Sequence, residues 1–205
     1  SILVHERLMA NDDLTGPAPV PDEGSDITDS NSYDKGDTRA SLLQRMQDEM
    51  TRPLDDLWAT RQSGLPIQTK REAVILASIV EKETGRASDR PMIASVFCNR
   101  LRIGMPLQTD PTVIYGMGAA FNGNLRRRDL QTDTPWNTYT RPGLPPTPIA
   151  MPGKAALLAA AHPAPSKALY FVARGDGSSQ FSDNLEAHNR AVNQYQRGQR
   201  AASTP

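Results

Sequence analysis

Two glutamates, Glu81 and Glu83, close an aliphatic run that extends from Ala73 to Val80. A carboxyl group set among apolar side chains costs free energy unless it is paired, protonated or put to use. On a helix, successive side chains step by about 100°, so Leu76, Ile79 and Val80 share one face. Glu83 falls at about −20° from Leu76, in the middle of that stripe, and Glu81 at about +140°, on another side. The two carboxylates are therefore not a facing pair. Desolvation on such a stripe disfavours the ionised form and raises the pKa, which suits a general acid working near neutrality. The competing reading has Glu83 at a frayed helix end in solvent, or paired with Arg86 or Arg90. Glu81 and Lys82 read as solvated helix residues.

Downstream, the segment Leu107–Thr112 (LQTDPT) is denser in hydrogen-bonding groups than a connector needs, and Asn137, Thr138 and Tyr139 form a second such cluster. Amide, hydroxyl and aromatic groups together suit a carbohydrate, which offers hydroxyls and an apolar ring face. Mutual bonding inside a long loop explains each residue equally well when it is taken singly. The three histidines, His5, His162 and His188, lie at no metal-ligand spacing and read as structural. No GxSxG elbow, P-loop or dinucleotide fingerprint occurs. The run Arg126–Arg128 reads as a solvated turn, with attraction of anionic substrate groups as the alternative.

The elements that must position these groups follow from pattern and punctuation. Residues 1–37 are read as a linker or disordered lead-in, because 11–37 is rich in Asp, Ser, Pro and Gly and lacks periodicity. A helix is predicted from Thr38 through Met50, and a separate one over Pro53–Gln62. Thr69 and Glu72 form a capping box for the helix that ends near Thr84. Asp89 and Pro91 open the next helix, which Gly104 closes. Residues 105–153 read as long functional loop with brief strands or turns. A short helix over Lys154–Ala161, a hairpin of Ala168–Ala173 and Ser179–Ser182, and a last helix over Asn184–Gln196 follow. Residues 198–205 read as a disordered tail. The fold class is α+β: a helical first half, then a loop-rich region with a small antiparallel hairpin.

Composition bounds the partners. The 205 residues carry 23 basic and 23 acidic side chains, so no net field draws nucleic acid or an anionic membrane. Cys98 is the single cysteine, which excludes an intrachain disulfide and cysteine-rich zinc sites. No cofactor and no metal is expected. No apolar run reaches the length of a membrane span.

Several blocks occur in a specific order: ASIVEKET (77–84), ASVFCNRLRIGMPLQTDPTVIYGMG (94–118), NTYTRPGLPPTPIAMPG (137–153), AAAHP (159–163), YFVARGDGSSQFS (170–182) and HN (188–189). Together they resemble the catalytic region of the endolytic murein transglycosylase family, also called YceG-like or MltG. The resemblance covers residues 38–197. It implies a lyase that cuts the β-1,4 bond after N-acetylmuramic acid in peptidoglycan glycan strands. The cut leaves a 1,6-anhydro end and limits strand length during cell-wall synthesis. Glu83 is then the catalytic acid/base and Glu81 a supporting residue at most. Gln108, Thr109, Asp110, Asn137, Tyr139 and Asn99 are candidates for holding the sugar. Peptidoglycan synthases (penicillin-binding proteins) are candidate partners. Family members carry a membrane-spanning helix and a LysM-like module ahead of this region, and neither is seen in these 205 residues. The resemblance implies an inner-membrane protein with its catalytic domain in the periplasm. Two other readings stay open. One is a hydrolytic muramidase with Asp110 as the second carboxylate, and the other is a non-catalytic glycan-binding module.

Overall fold

The structure is a computed structural model that describes residues 1–26 and 32–197. It is an α+β fold, as expected: helices dominate, and the strands among the described residues form one two-stranded antiparallel sheet. The helices are α1 (Ile2–Met9), α2 (Arg39–Ala59), α3 (Lys70–Glu83), α4 (Arg90–Arg102), α5 (Asp110–Met117), α6 (Arg127–Gln131), α7 (Lys154–Ala161) and α8 (Leu185–Val192). The strands β1 (Tyr170–Ala173) and β2 (Ser179–Ser182) pair with Tyr170 opposite Ser182 and Ala173 opposite Ser179. No helix among the described residues is long and apolar enough to cross a membrane.

α3 is the centre of the molecule. Its capping box forms as the sequence requires: the Thr69 hydroxyl accepts from the Glu72 amide at 3.1 Å, and the Glu72 carboxylate accepts from the Thr69 amide at 3.3 Å. From Ala73 to Val80 every residue is buried, so the helix is dry all round rather than along one stripe. α4 and α7 pack against it, and α7 supplies the small residues Ala156, Ala159 and Ala160 that allow close approach. Buried Ser78 accepts the Ile149 amide at 3.0 Å, so its hydroxyl ties the loop ahead of α7 to α3. Fully burying an aliphatic side chain contributes about 1.5–3 kcal/mol, and Leu76, Ile79 and Val80 are each at 0% exposure.

Three elements differ from the sequence reading. The two helices expected around Pro53 are one helix, α2, with the proline inside it. Proline removes one backbone hydrogen bond. Met50 on one side, with Leu54, Leu57 and Trp58 on the other, packs onto the α3 core and carries the helix through. Residues 105–153 hold no strand; Thr112–Tyr115 lies in α5, which Pro111 opens in its first turn.

The third difference is the lead-in. Residues 1–26 are not a loose linker: they contain α1, and Leu8, Leu14 and Ala18 pack on Leu42, Leu43 and Met46 of α2. Arg39 holds this segment by donating to the carbonyls of Leu8 (2.7 Å), Gly16 (2.7 Å) and Asn11 (2.8 Å). Few apolar residues carry the packing, which is why periodicity did not show it. Residues 27–31 and the tail 198–205 lie outside the described residues.

Gly24 makes the lead-in testable. It has φ +77°, and a Cβ there would lie 2.6 Å from Pro148 Cγ and 2.9 Å from Val74 Cγ1 of α3. Gly24→Ala is expected to destabilise the protein by about 1–3 kcal/mol, read as a lower urea midpoint at unchanged slope. A lead-in detached from the core would leave the midpoint where it is.

Candidate active site

Glu83 is the last residue of α3, and the chain turns extended at Thr84 (φ −149°, ψ 137°). Its side chain is half-buried and faces a cleft of about 700 Å³. The Thr109 hydroxyl donates to Glu83 Oε1, and Oε2 has no hydrogen-bond partner among the described residues. Thr109 is itself held on all sides. Its amide donates to Thr138 Oγ1 at 3.1 Å, and its carbonyl accepts from Thr112 Oγ1 at 2.7 Å. The Thr112 and Thr138 hydroxyls lie 2.8 Å apart. All three threonines are buried. This cluster fixes the one hydroxyl that touches the carboxyl.

Burial raises the pKa of Glu83, the largest influence on it. The Thr109 bond opposes the shift, the Asp110 carboxylate adds to it, and Arg100 opposes it weakly. The end of α3 pushes the same way as burial, because a helix C-terminus disfavours an anion.

Around Glu83 the cleft is polar on one wall and mixed on the other. Gln108, Asp110 and Tyr139 line it together with Arg100. The Tyr139 hydroxyl donates to Asp110 Oδ1 at 2.6 Å. Burial first, then this bond to an anion, holds the phenol well above its ordinary pKa, so Tyr139 is a neutral donor. Gln108 has φ +49°, and no other non-glycine residue among those described has a positive φ. Its amide is tied to the Thr138 carbonyl at 3.1 Å, which holds the exposed side chain at the cleft in spite of the backbone cost. Arg100 of α4 is buried. Its Nε donates to the Leu169 carbonyl at 2.7 Å and its Nη1 to the Leu107 carbonyl at 2.6 Å. β1 and α8 form the facing wall, with Tyr170, Leu185 and His188.

The profile of the YceG-like family matches residues 4–194. The chain belongs to the YceG-like family. The match takes in the lead-in from Val4 onward, in keeping with its packed place in the fold. A Bacillus subtilis (strain 168) protein named endolytic murein transglycosylase is 45% identical over 120 residues, which is 58% of this chain and 33% of that protein. A Streptococcus pneumoniae (serotype 2, strain D39 / NCTC 7466) protein of the same name is 33% identical over 169 residues, 80% of this chain and 30% of that protein. The chain thus spans about a third of the length of these relatives. A crystal structure of a yceG-like protein from Listeria monocytogenes superposes with a TM-score of 0.70 at 33% identity, over 90% of this chain and 58% of that one.

Within this YceG-like domain, Glu83, Gln108, Asp110 and Tyr139 meet at the cleft, with Thr109 behind the carboxyl. Three other residues singled out in the sequence lie elsewhere. Asn137 is fully buried; its amide nitrogen donates to the carbonyls of Leu130 (3.1 Å) and Thr132 (2.7 Å), and its oxygen accepts the Tyr139 amide at 2.9 Å. It folds the loop that carries Tyr139 and has no donor left for a sugar. Asn99 donates at 3.0 Å to the carbonyls of both Ser166 and Ala168, so it anchors the chain entering β1. Glu81 accepts the Gly153 amide at 3.0 Å and caps the approach to α7, on a different side of α3 from the cleft. Arg100 and Tyr170 line the cleft without having been singled out, and His188, read as structural, lines it too. Among the described residues no group of three His, Cys, Asp or Glu could hold a metal ion.

Two outcomes follow from the state of Glu83. Thr109→Val removes the bond that favours the carboxylate, so the Glu83 pKa rises further. Carbon-detected NMR titration of the Glu83 carboxyl is expected to show its midpoint at higher pH than in the parent. The second concerns stability. A carboxyl whose folded pKa lies above its unfolded value favours folding while protonated, and that contribution is lost as pH rises through the folded pKa. Glu83→Gln removes the ionised form and is expected to raise Tm at neutral pH, by about 2–4 °C for each kcal/mol relieved. The gain disappears below the ordinary carboxylate range, and an equal gain at every pH would contradict the assignment.

Proposed function

We propose that this domain is a lytic transglycosylase that cleaves the β-1,4 bond between N-acetylmuramic acid and N-acetylglucosamine within peptidoglycan glycan strands. One observation carries the reading. Glu83 combines a desolvated carboxyl, one oxygen held by Thr109 and the other free, in a cleft lined by sugar-compatible groups. The names of its relatives support the same substrate.

Glu83 Oε2 protonates the glycosidic oxygen as the bond to C1 breaks and positive charge builds at C1. The carboxylate so formed takes the proton of the muramyl 6-hydroxyl, whose oxygen bonds C1. A 1,6-anhydro ring results, Glu83 is protonated again, and no water is consumed. One carboxyl serves both half-steps, unlike the carboxylate pairs of ordinary glycosidases. Asp110 lines the same cleft, but its Oδ1 is engaged by Tyr139, which suits it to orienting the phenol rather than to activating water. In this reading the domain works in the periplasm, tethered to the inner membrane by a segment outside these residues. It shortens strands beside the penicillin-binding proteins that synthesise them.

The test is digestion of purified glycan strands followed by mass spectrometry of the ends. Anhydromuramyl ends are expected. Glu83→Gln should lower turnover by about 10²- to 10⁴-fold, the usual worth of a general acid–base, with unfolding still cooperative. Tyr139→Phe should cost about tenfold. Reducing ends would replace the lyase reading with hydrolysis assisted by Asp110. Binding without cleavage would leave a glycan-binding module.

A further inference from the structure

α8 brings one face to the cleft. Leu185, His188 and Val192 stand three and four residues apart on it, and all three line the cavity that holds Glu83. Leu185 is 55% exposed there, a large apolar side chain left open to solvent. The imidazole of His188 stacks on Tyr170 with ring centroids 5.1 Å apart and planes 22° from parallel.

The two nitrogens of His188 differ. Nδ1 is buried and has no hydrogen-bond partner. A proton there would be a buried donor with no acceptor, so the neutral ring carries its proton on Nε2. Burial, with a smaller contribution from the Arg100 cation, lowers the pKa and keeps the ring neutral near pH 7. Nε2–H has no acceptor among the described residues. The cleft therefore holds a neutral, oriented donor with nothing to donate to, flanked by apolar side chains. Arg100 is a different kind of donor: it is a cation whose Nε and Nη1 are given to backbone carbonyls, which leaves Nη2 to face the cleft.

We infer that His188 is a sugar-binding residue, whose Nε2–H donates to the acetamido carbonyl of an N-acetylated sugar held against α8. An acetamido group joins a strong acceptor to a methyl, and the α8 face joins a lone donor to Leu185 and Val192. A sugar hydroxyl has no methyl to place on those two side chains. The stack on Tyr170 fixes the ring plane, so the donor is aimed before the sugar arrives. The inference rests on the glycan reading above.

Calorimetric titration with purified glycan strands tests it, using Glu83→Gln as the parent so that no strand is cut. The same strands stripped of their N-acetyl groups serve as the second ligand. His188→Phe keeps a ring to stack on Tyr170 and removes the donor. It is expected to weaken binding of acetylated strands about five- to tenfold and to leave binding of stripped strands within about twofold. His188→Gln, which restores a side-chain N–H, should recover part of the loss. Full affinity in His188→Phe, or an equal loss on both ligands, overturns the inference while the glycan reading stands. Failure of the parent to bind either ligand overturns the glycan reading, and the role of His188 with it.

Discussion

The site depends on the contact between the Thr109 hydroxyl and the Glu83 carboxyl. Three features push Glu83 toward the protonated form: the dry surroundings at the end of α3, the Asp110 carboxylate and the negative end of the helix itself. Thr109 pulls the other way, since a hydroxyl that donates to a carboxyl favours the anion. An unopposed desolvated carboxyl holds its proton too firmly to give it up, and a fully solvated one holds it too weakly at neutral pH. A group asked to give and then retake a proton within one turnover needs both influences. The three buried threonines make the opposing one rigid, because all three hydroxyls and the Thr109 amide already have partners.

Arg100 fixes the geometry of the cleft at a larger scale. α4 lies against α3, and from it one guanidinium reaches the carbonyls of Leu107 and Leu169. The first belongs to the segment that delivers Gln108, Thr109 and Asp110, and the second to the chain entering β1. Asn99, its neighbour on α4, holds the same β1 approach at Ser166 and Ala168. Polar wall and facing wall are thus hung from consecutive residues of one helix. A charge so placed is costly unless satisfied, and strong hydrogen bonds to carbonyls satisfy it.

Much of this was legible in the sequence where short-range rules apply. The capping box of α3, the proline-led start of α4, the hairpin around Gly175–Gly177 and the Asn184 cap of α8 are local devices, and the structure contains each. The lead-in was read as loose because its polar, proline-rich composition hides the anchoring contacts it makes with α2 and Arg39. Asn137 looked like a sugar ligand because composition reports only that amides are present, and Asn99 was proposed only alongside the family resemblance. Whether an amide faces a cleft or closes a loop depends on carbonyls that the fold brings in. α2 was split at Pro53 because a local rule was applied where tertiary packing overrides it.

The helical-wheel argument that singled out Glu83 had a second result within reach. Glu83 lies seven residues after Leu76, and Arg100 lies seven residues after Ile93; a step of seven returns to within about 20° of the starting direction. Arg100 therefore falls on the Ile93, Val96 and Phe97 face of α4, as Glu83 falls on the Leu76, Ile79 and Val80 face of α3. Each is an ionisable group continuing an apolar face, near the C-terminal end of its helix, and the two line the same cleft. Arg100 was not singled out in the sequence, because Arg102 and Arg90 on the same helix make arginine look routine there. The useful signal was its place on the stripe, not its type. His188 gives no comparable sign, since α8 is short and its meaning comes from Tyr170, which a hairpin away in the sequence only the fold brings beneath it.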